Sequence, residues 1–282
     1  MNKYVFYNYF PLISDHIADL RNSHVIAHHN FAPFIIDNIK HGDTVFVKTD
    51  LLPEFFNSIF PKIKNKFFLI NGSSDNEIDN KYLNFVNDDK IIKWFGFNIT
   101  IEHDKIFKIP IGFEENELLG GNQILLDKLF SIQMEFKDKT NKLLITNFGN
   151  THSSRTNLNK LFNTNNDFIV HYKERLPFEQ FMQKINQYKF VLSPRGNGVD
   201  THRFWEILLM GSVPVVETSG LDSLYNKFPC IIVESFDKIN ADLLNSYIHD
   251  NEKQKNIEQY LIIDNLKKII DFAKYNIHTQ LV

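Results

Sequence analysis

Two α/β units built on parallel sheets are what this sequence predicts, and three features carry the prediction. Short apolar runs alternate with segments of helical spacing through both halves of the chain; a polar break at residues 137–141 separates the halves; and residues 188–217 read as strand, glycine loop, helix and strand. With 282 residues, 43% of them hydrophobic and 27 of them Phe, the chain can fill sizeable cores in one large domain or two compact ones.

In the first half, strands are expected at residues 44–49, 66–71, 91–96 and 105–112, alternating with helical segments such as 51–59 and 80–86. A long helix is expected over 118–136. The polar break after it sets the expected domain boundary, giving residues 1–138 and 139–282. The second half restarts with a strand at 142–150, a helix over 153–162 and a strand at 168–172. A helix then opens at Pro177, whose fixed φ suits the first turn. Residues 188–193 form an apolar run suited to a buried parallel strand. The helix over 201–210 places Phe204, Ile207 and Leu208 at helical spacing and stops at Gly211. Strands at 213–216 and 230–234 and a terminal helix over 256–278 complete the series. Trp94 and Trp205 sit among apolar neighbours and are assigned to the core. No segment repeats at a fixed period, and none is of low complexity.

Composition narrows the function classes. A net charge of −3, from 31 basic and 34 acidic residues, gives no broad field for nucleic acid or anionic lipid, so any anion site must be a local cluster. The alternating Lys62, Lys64 and Lys66 read as solvated surface. A single cysteine, Cys230, excludes an intrachain disulfide and a cysteine-based zinc site and fits a reducing compartment. Polar residues interrupt the first 20 positions, and no run approaches the roughly 20 apolar residues that span a bilayer. A cytoplasmic protein without a transmembrane segment is therefore expected. There is no G-x-G-x-x-G after an early strand and no G-x-x-x-x-G-K-[ST], which argues against a nicotinamide enzyme or a P-loop ATPase.

The polar chemistry concentrates in the loop at residues 193–203. In a strand–helix–strand crossover this loop lies at the carboxyl edge of the sheet, where open α/β folds bind ligands. Ser193, Arg195, Gly196, Asn197, Gly198, His202 and Arg203 cluster there, and two glycines, two arginines and a helix start suit a diphosphate. Asp200 is assigned as the N-cap of the helix. Glu206 shares a helix face with Arg203; the two fit a surface ion pair, but the glycine loop before them favours ligand binding, with the carboxylate accepting ribose hydroxyls. Asn150, Ser153 and Arg155 follow the first strand of the second half and fit either a phosphate site or a serine-rich helix cap.

These residues carry a resemblance. Ser193-Pro194-Arg195-Gly196, then Arg203 and Glu206 on a helix, then Gly211-Ser212-Val213-Pro214-Val215, are similar to the donor half of the exostosin-like glycosyltransferases, over about 30 residues, with Arg155 and Tyr172 in plausible flanking loops. The resemblance implies a GT-B fold of two facing Rossmann-like domains, with the terminal helix packing back on the first. It also implies metal-independent transfer of a sugar from a nucleotide-sugar donor, bound mainly by the second domain, to a hydroxyl of a glycan or glycoconjugate. It places the helix glutamate near the ribose and the loop arginine, Arg195, near phosphate. No cofactor is expected, since the nucleotide sugar is a substrate. The alternative is a catalytically silent sugar- or nucleotide-binding protein of the same fold.

The acceptor side falls to first-half loops. Asp75 ends the glycine- and serine-bearing loop at residues 71–75 and is the first candidate for the acceptor-activating base, although loop aspartates commonly serve as turn formers. Glu114 and Glu115, after the strand at 105–112, are its rivals. No metal site is assigned. His24, His28 and His29 lack acidic ligands at motif spacing, Glu77-Ile78-Asp79 is only a loose variant of Asp-x-Asp, and the cations around the leaving group are supplied by side chains.

Overall fold

In a computed structural model, residues 3–6, 9–18, 33–114, 122–146, 148–161 and 167–279 are described. The described chain forms two five-stranded sheets in which every pairing is parallel. The first holds β1 (His16–Ile17), β2 (Thr44–Lys48), β3 (Phe67–Gly72), β4 (Ile91–Gly96) and β5 (Ile106–Lys108) in sequential order. All six residues of β3 are buried, as expected of a strand covered on both faces, which reads as an apolar run rather than an alternation. Between these strands lie α1 (Leu52–Glu54), which runs on into a π-helical turn over Phe55–Ile59, and α2 (Leu83–Asn87). The strand β1 is too short to show a period in sequence. It is fixed by Asp15, whose carboxylate accepts from the Thr44 N–H and hydroxyl at 2.8 Å each.

The helix expected over 118–136 is shorter: α3 covers Gln123–Ser131, and residues 115–121 lie outside the described segments. Asn122 caps its start, accepting from the Leu125 N–H at 3.2 Å. Beyond Ser131, contacts to the second half replace helical bonds. Gln133 donates to the Leu209 carbonyl at 3.0 Å, and the Met134 N–H donates to Asn186 Oδ1 at 2.9 Å.

The second sheet holds β6 (Thr140–Thr146), β7 (Ile169–Tyr172), β8 (Tyr188–Leu192), β9 (Val213–Glu217) and β10 (Ile231–Val233), in the order β10-β9-β8-β6-β7. Its helices are α4 (Ser153–Leu161), α5 (Phe178–Asn186), α6 (His202–Leu209), α7 (Asp222–Tyr225) and α8 (Ala241–Ser246). Two helices end the described chain, α9 (Asn251–Leu261) and α10 (Ile263–Thr279), where one was expected. The break falls at Ile262, which is extended with ψ 121°. It is held by the N-terminal segment: the Val5 N–H donates to the Leu261 carbonyl at 2.8 Å and the Ile263 N–H to the Lys3 carbonyl at 2.9 Å. The end of the chain thus packs on the first half, where Phe107 of β5 also stacks on Tyr260.

The sheets meet through the loops at their carboxyl ends, with bonds from Asn98, Ile111 and Gly112 of the first half to Asp200 and His202 of the second. Beside these bonds, one apolar cluster joins Phe95, Ile109 and Ile111 to Trp205, Tyr225 and Phe228, while each sheet keeps a separate cluster on its other face. Trp94 and Trp205 are fully buried, as assigned. Two parallel sheets opposed at their carboxyl edges are the GT-B arrangement that the motif resemblance implies.

Candidate functional site

The strand order of the second sheet places a crevice between β6 and β8. The chain leaves β6 toward β7 on one side and leaves β8 toward β9 on the other, so the loops following β6 and β8 diverge; that reversal is where open α/β sheets take ligands. A cleft of about 940 Å³ lies there, within the size range of small-molecule and cofactor sites. Thr146, Arg155, Arg203 and Glu206 line it from the second half, Glu114 from the first, and His202 from the start of α6 between them.

Arg203 and Glu206 are the charged pair at its base. Arg203 donates from Nη1 to Thr146 Oγ1 at 2.6 Å, lies 4.3 Å above the Phe181 ring, and brings Nε within 3.4 Å of Glu206 Oε2. That Nε is buried and lacks a well-formed hydrogen bond. Burial lowers the Arg203 pKa, opposed by Glu206, and raises that of Glu206, opposed by Arg203 and His202 and reinforced by Glu114. Buried polar groups with unmet capacity are costly, so a cleft that keeps them is suited to a ligand that completes their bonds. The ring under the guanidinium holds it flat and leaves its N–H edge available.

Arg155 serves a different purpose from the phosphate contact anticipated. Three of its N–H groups donate to the carbonyls of Arg195 at 2.7 Å, Gly149 at 3.0 Å and Pro194 at 3.1 Å. It ties the loop after β6 to the loop after β8 and so sets the width of the crevice. Burial and then neighbouring Arg203 push its pKa down to about 10. Asn150 and Ser153 are exposed and do not line the cleft. At the start of α4 the Ser154 N–H donates to His152 Nδ1 at 3.3 Å, so the acceptor there is a histidine and not one of the serines expected as caps.

Beyond Pro194, which lines the cleft, the loop through residue 200 turns to the first half and builds the joint between the halves. Arg195 donates to Glu77 Oε1 at 2.7 Å, across the joint, rather than pointing toward Arg203. Ser193 is buried, its hydroxyl 3.5 Å from that of Thr201. Gly196 faces Arg155 and Thr151, and Asn197 lies in a separate depression with Asp50 and Asp75. At Gly198 a Cβ would come within 2.8 Å of the Asn98 amide, so the glycine admits a side chain of the other half, not a ligand. Asp200 is not the N-cap of α6. Thr201 occupies that position without a side-chain cap, and Asp200 is 2% exposed. Its carboxylate accepts from the Ile111 N–H at 2.7 Å, Trp205 Nε1 at 2.9 Å and the Tyr225 hydroxyl at 3.1 Å, while its own N–H donates to Asn98 Oδ1 at 2.8 Å. Burial pushes its pKa up to about 6.

On the acceptor side, Asp75 is exposed and lines the separate depression, away from Arg203 and Glu206. Glu114 is the first-half carboxylate in the cleft, 3.6 Å from His202 Nε2. Glu115 and the histidines at 24, 28 and 29 lie outside the described residues. Among the described residues no three His, Cys, Asp or Glu side chains converge as metal ligands. Glu77 is engaged with Arg195, and Asp79 accepts from the Lys81 N–H.

Several lining residues carried no assignment in sequence, among them Thr146, Phe148, Arg175 and Phe181. Thr146 ends a strand and Phe181 lies within α5, where their apolar neighbours conceal them. Arg175 stands between Glu174 and Leu176, in the loop joining β7 to α5; a basic residue two positions before Pro177, where the helix was expected to open, was the one available signal.

No protein-family model matches the chain, and no curated protein matches it. Several solved structures are distantly similar, and three of them follow. A GtfA/B complex is 11% identical at a TM-score of 0.40, over 84% of this chain and 58% of that one, so the chain spans less than two thirds of its length. An alpha1,3-fucosyltransferase is 12% identical at 0.40, over 86% and 78%. The N-terminal domain of Candida albicans trehalose-6-phosphate phosphatase is 14% identical at 0.38, over 87% and 71%. Likeness at this distance says nothing about chemistry, which has to be argued from the side chains of the cleft.

Proposed function

We propose that the chain transfers a sugar from a nucleotide-sugar donor to a hydroxyl of a glycan or glycoconjugate acceptor. One observation carries the reading: at the strand-order reversal of the second sheet, a buried Glu206 and a half-buried Arg203 share one face of α6, and the Arg203 Nε lacks a well-formed hydrogen bond. Glu206 is the acceptor for the ribose hydroxyls, and Arg203, with Arg175 at the mouth of the cleft, takes the diphosphate. The motif resemblance to exostosin-like glycosyltransferases supports the same assignment of Glu206. It assigns phosphate to Arg195 instead, but here that side chain is engaged with Glu77.

In this reading the leaving diphosphate is stabilised by guanidinium groups in a partly dehydrated cleft, and transfer needs neither a metal nor a cofactor. No helix of the described residues is long and apolar enough to cross a membrane. The test is a thermal-shift screen against a panel of sugar nucleotides. A donor at 100 times its dissociation constant stabilises a protein by about 2.7 kcal/mol. The expected result is a shift with one nucleotide series, followed by slow release of free nucleotide that survives EDTA. A shift without turnover toward any acceptor would leave a binding module, and no shift across the panel would remove the donor site.

A further inference from the structure

Glu114 and His202 meet inside the cleft, one from each half of the chain. The His202 Nδ1 lies 2.8 Å from the Gly112 carbonyl, which can only accept, so Nδ1 carries a proton. In the neutral ring Nε2 therefore bears a lone pair, and that lone pair would face the Glu114 carboxylate at 3.6 Å. His202 is also the first residue of α6, next to Arg203 and one helical turn before Glu206, and its charge acts on the Glu206 carboxylate. The pair thus spans the space between the proposed donor site and the first half.

We propose that Glu114 and His202 form a proton relay that couples acceptor activation to departure of the diphosphate, an inference that rests on the glycosyl-transfer reading above. With His202 as imidazolium and Glu114 as carboxylate, Glu114 takes the proton of the acceptor hydroxyl. The acceptor oxygen forms its bond to the sugar C1 as the bond from C1 to the phosphate oxygen breaks. The Nε2 proton passes to the leaving diphosphate. Glu114, now protonated, returns its proton to Nε2, so the net transfer is one proton from acceptor to nucleotide and the pair is restored. The depression that holds Asp75 takes no part.

The test separates proton transfer from scaffolding by using the sugar nucleotide that gives the largest thermal shift, with water as acceptor. Glu114→Gln keeps shape and removes the proton acceptor. His202→Asn places an N–H where Nδ1 stands, preserving the bond to the Gly112 carbonyl, and removes Nε2. Each variant is expected to lower kcat for nucleotide release by about 10²–10⁴-fold with donor affinity near that of the parent. A His202→Asn protein with parental kcat would show that the ring merely tethers Gly112, and an active Glu114→Gln protein would remove the base; either result overturns the relay. A parent that releases no nucleotide overturns the transfer reading and the relay with it, whereas an active parent with active variants overturns the relay alone.

Discussion

Two neighbouring stretches of one loop and helix meet different fates. Residues 193–200 carry an arginine, two glycines and an aspartate, and residues 202–206 carry a histidine, an arginine and a glutamate. Both follow β8 at the carboxyl edge of the second sheet, and by composition either could hold a diphosphate. The first stretch is taken up by the opposite half: Arg195 by Glu77, Gly198 by Asn98, and Asp200 by Ile111. The second turns into the crevice, where His202, Arg203 and Glu206 line the cleft. The difference lies in what faces each stretch rather than in residue type. Damage to the joint should therefore appear as lost stability, and damage to the cleft as lost binding.

The largest effect is expected at Asp200. Asp200→Ala strips the acceptor from the Ile111 N–H, Trp205 Nε1 and the Tyr225 hydroxyl. Each orphaned donor costs about 1–3 kcal/mol, so urea unfolding should report a loss of about 3 kcal/mol or more. The same carboxylate makes stability depend on pH. Its folded pKa of about 6 lies above the ordinary carboxylate value, so between the two the folded state binds more protons. Stability contributed by this site should fall as pH rises from about 4 to about 6, by on the order of 2–3 kcal/mol. The difference in unfolding free energy between the parent and Asp200→Asn isolates it, and a difference that stays flat over that window would mean the carboxylate is not strained by burial.

Smaller effects sharpen the contrast. Gly198→Ala drives a methyl group into the Asn98 amide, whose oxygen is already bonded to the Asp200 N–H, so the neighbour cannot simply swing away. Overpacking of this kind costs about 1–3 kcal/mol and should lower the melting temperature without weakening a bound nucleotide beyond what the loss of stability explains. The smallest effect belongs to Arg195→Ala. Its pair with Glu77 is about one third exposed on each side, and pairs of that kind contribute about 0–1 kcal/mol.

Much of this architecture was legible in the sequence, because buried parallel strands announce themselves as apolar runs. The expected strands at 91–96 and 188–193 match β4 and β8 to within a residue. What failed were features set by partners distant in sequence. The long helix ends early because Gln133 and Met134 bond to residues in the second half, and the terminal helix breaks where Ile262 and Ile263 meet the N-terminal segment. The candidate site divided in the same way. That Arg203 and Glu206 share a face was legible because helical spacing fixes it, and both line the cleft. The roles of Arg195, Asp200 and Asp75 depend on which half faces them, which no local pattern encodes. Thr146 and Phe181 contribute to the cleft only because strand order brings β6 and α5 beside α6.

Calorimetric titration of one nucleoside diphosphate into Arg203→Ala and Arg195→Ala, both confirmed as folded, tests the division between cleft and joint most directly. The expected result is that Arg203→Ala loses about 1.5–3 kcal/mol of affinity, roughly 10- to 150-fold, the range for a charge-assisted hydrogen bond, while Arg195→Ala binds within about threefold of the parent. An Arg195→Ala protein that loses the nucleotide while Arg203→Ala retains it would contradict the account and return the phosphate site to the glycine loop.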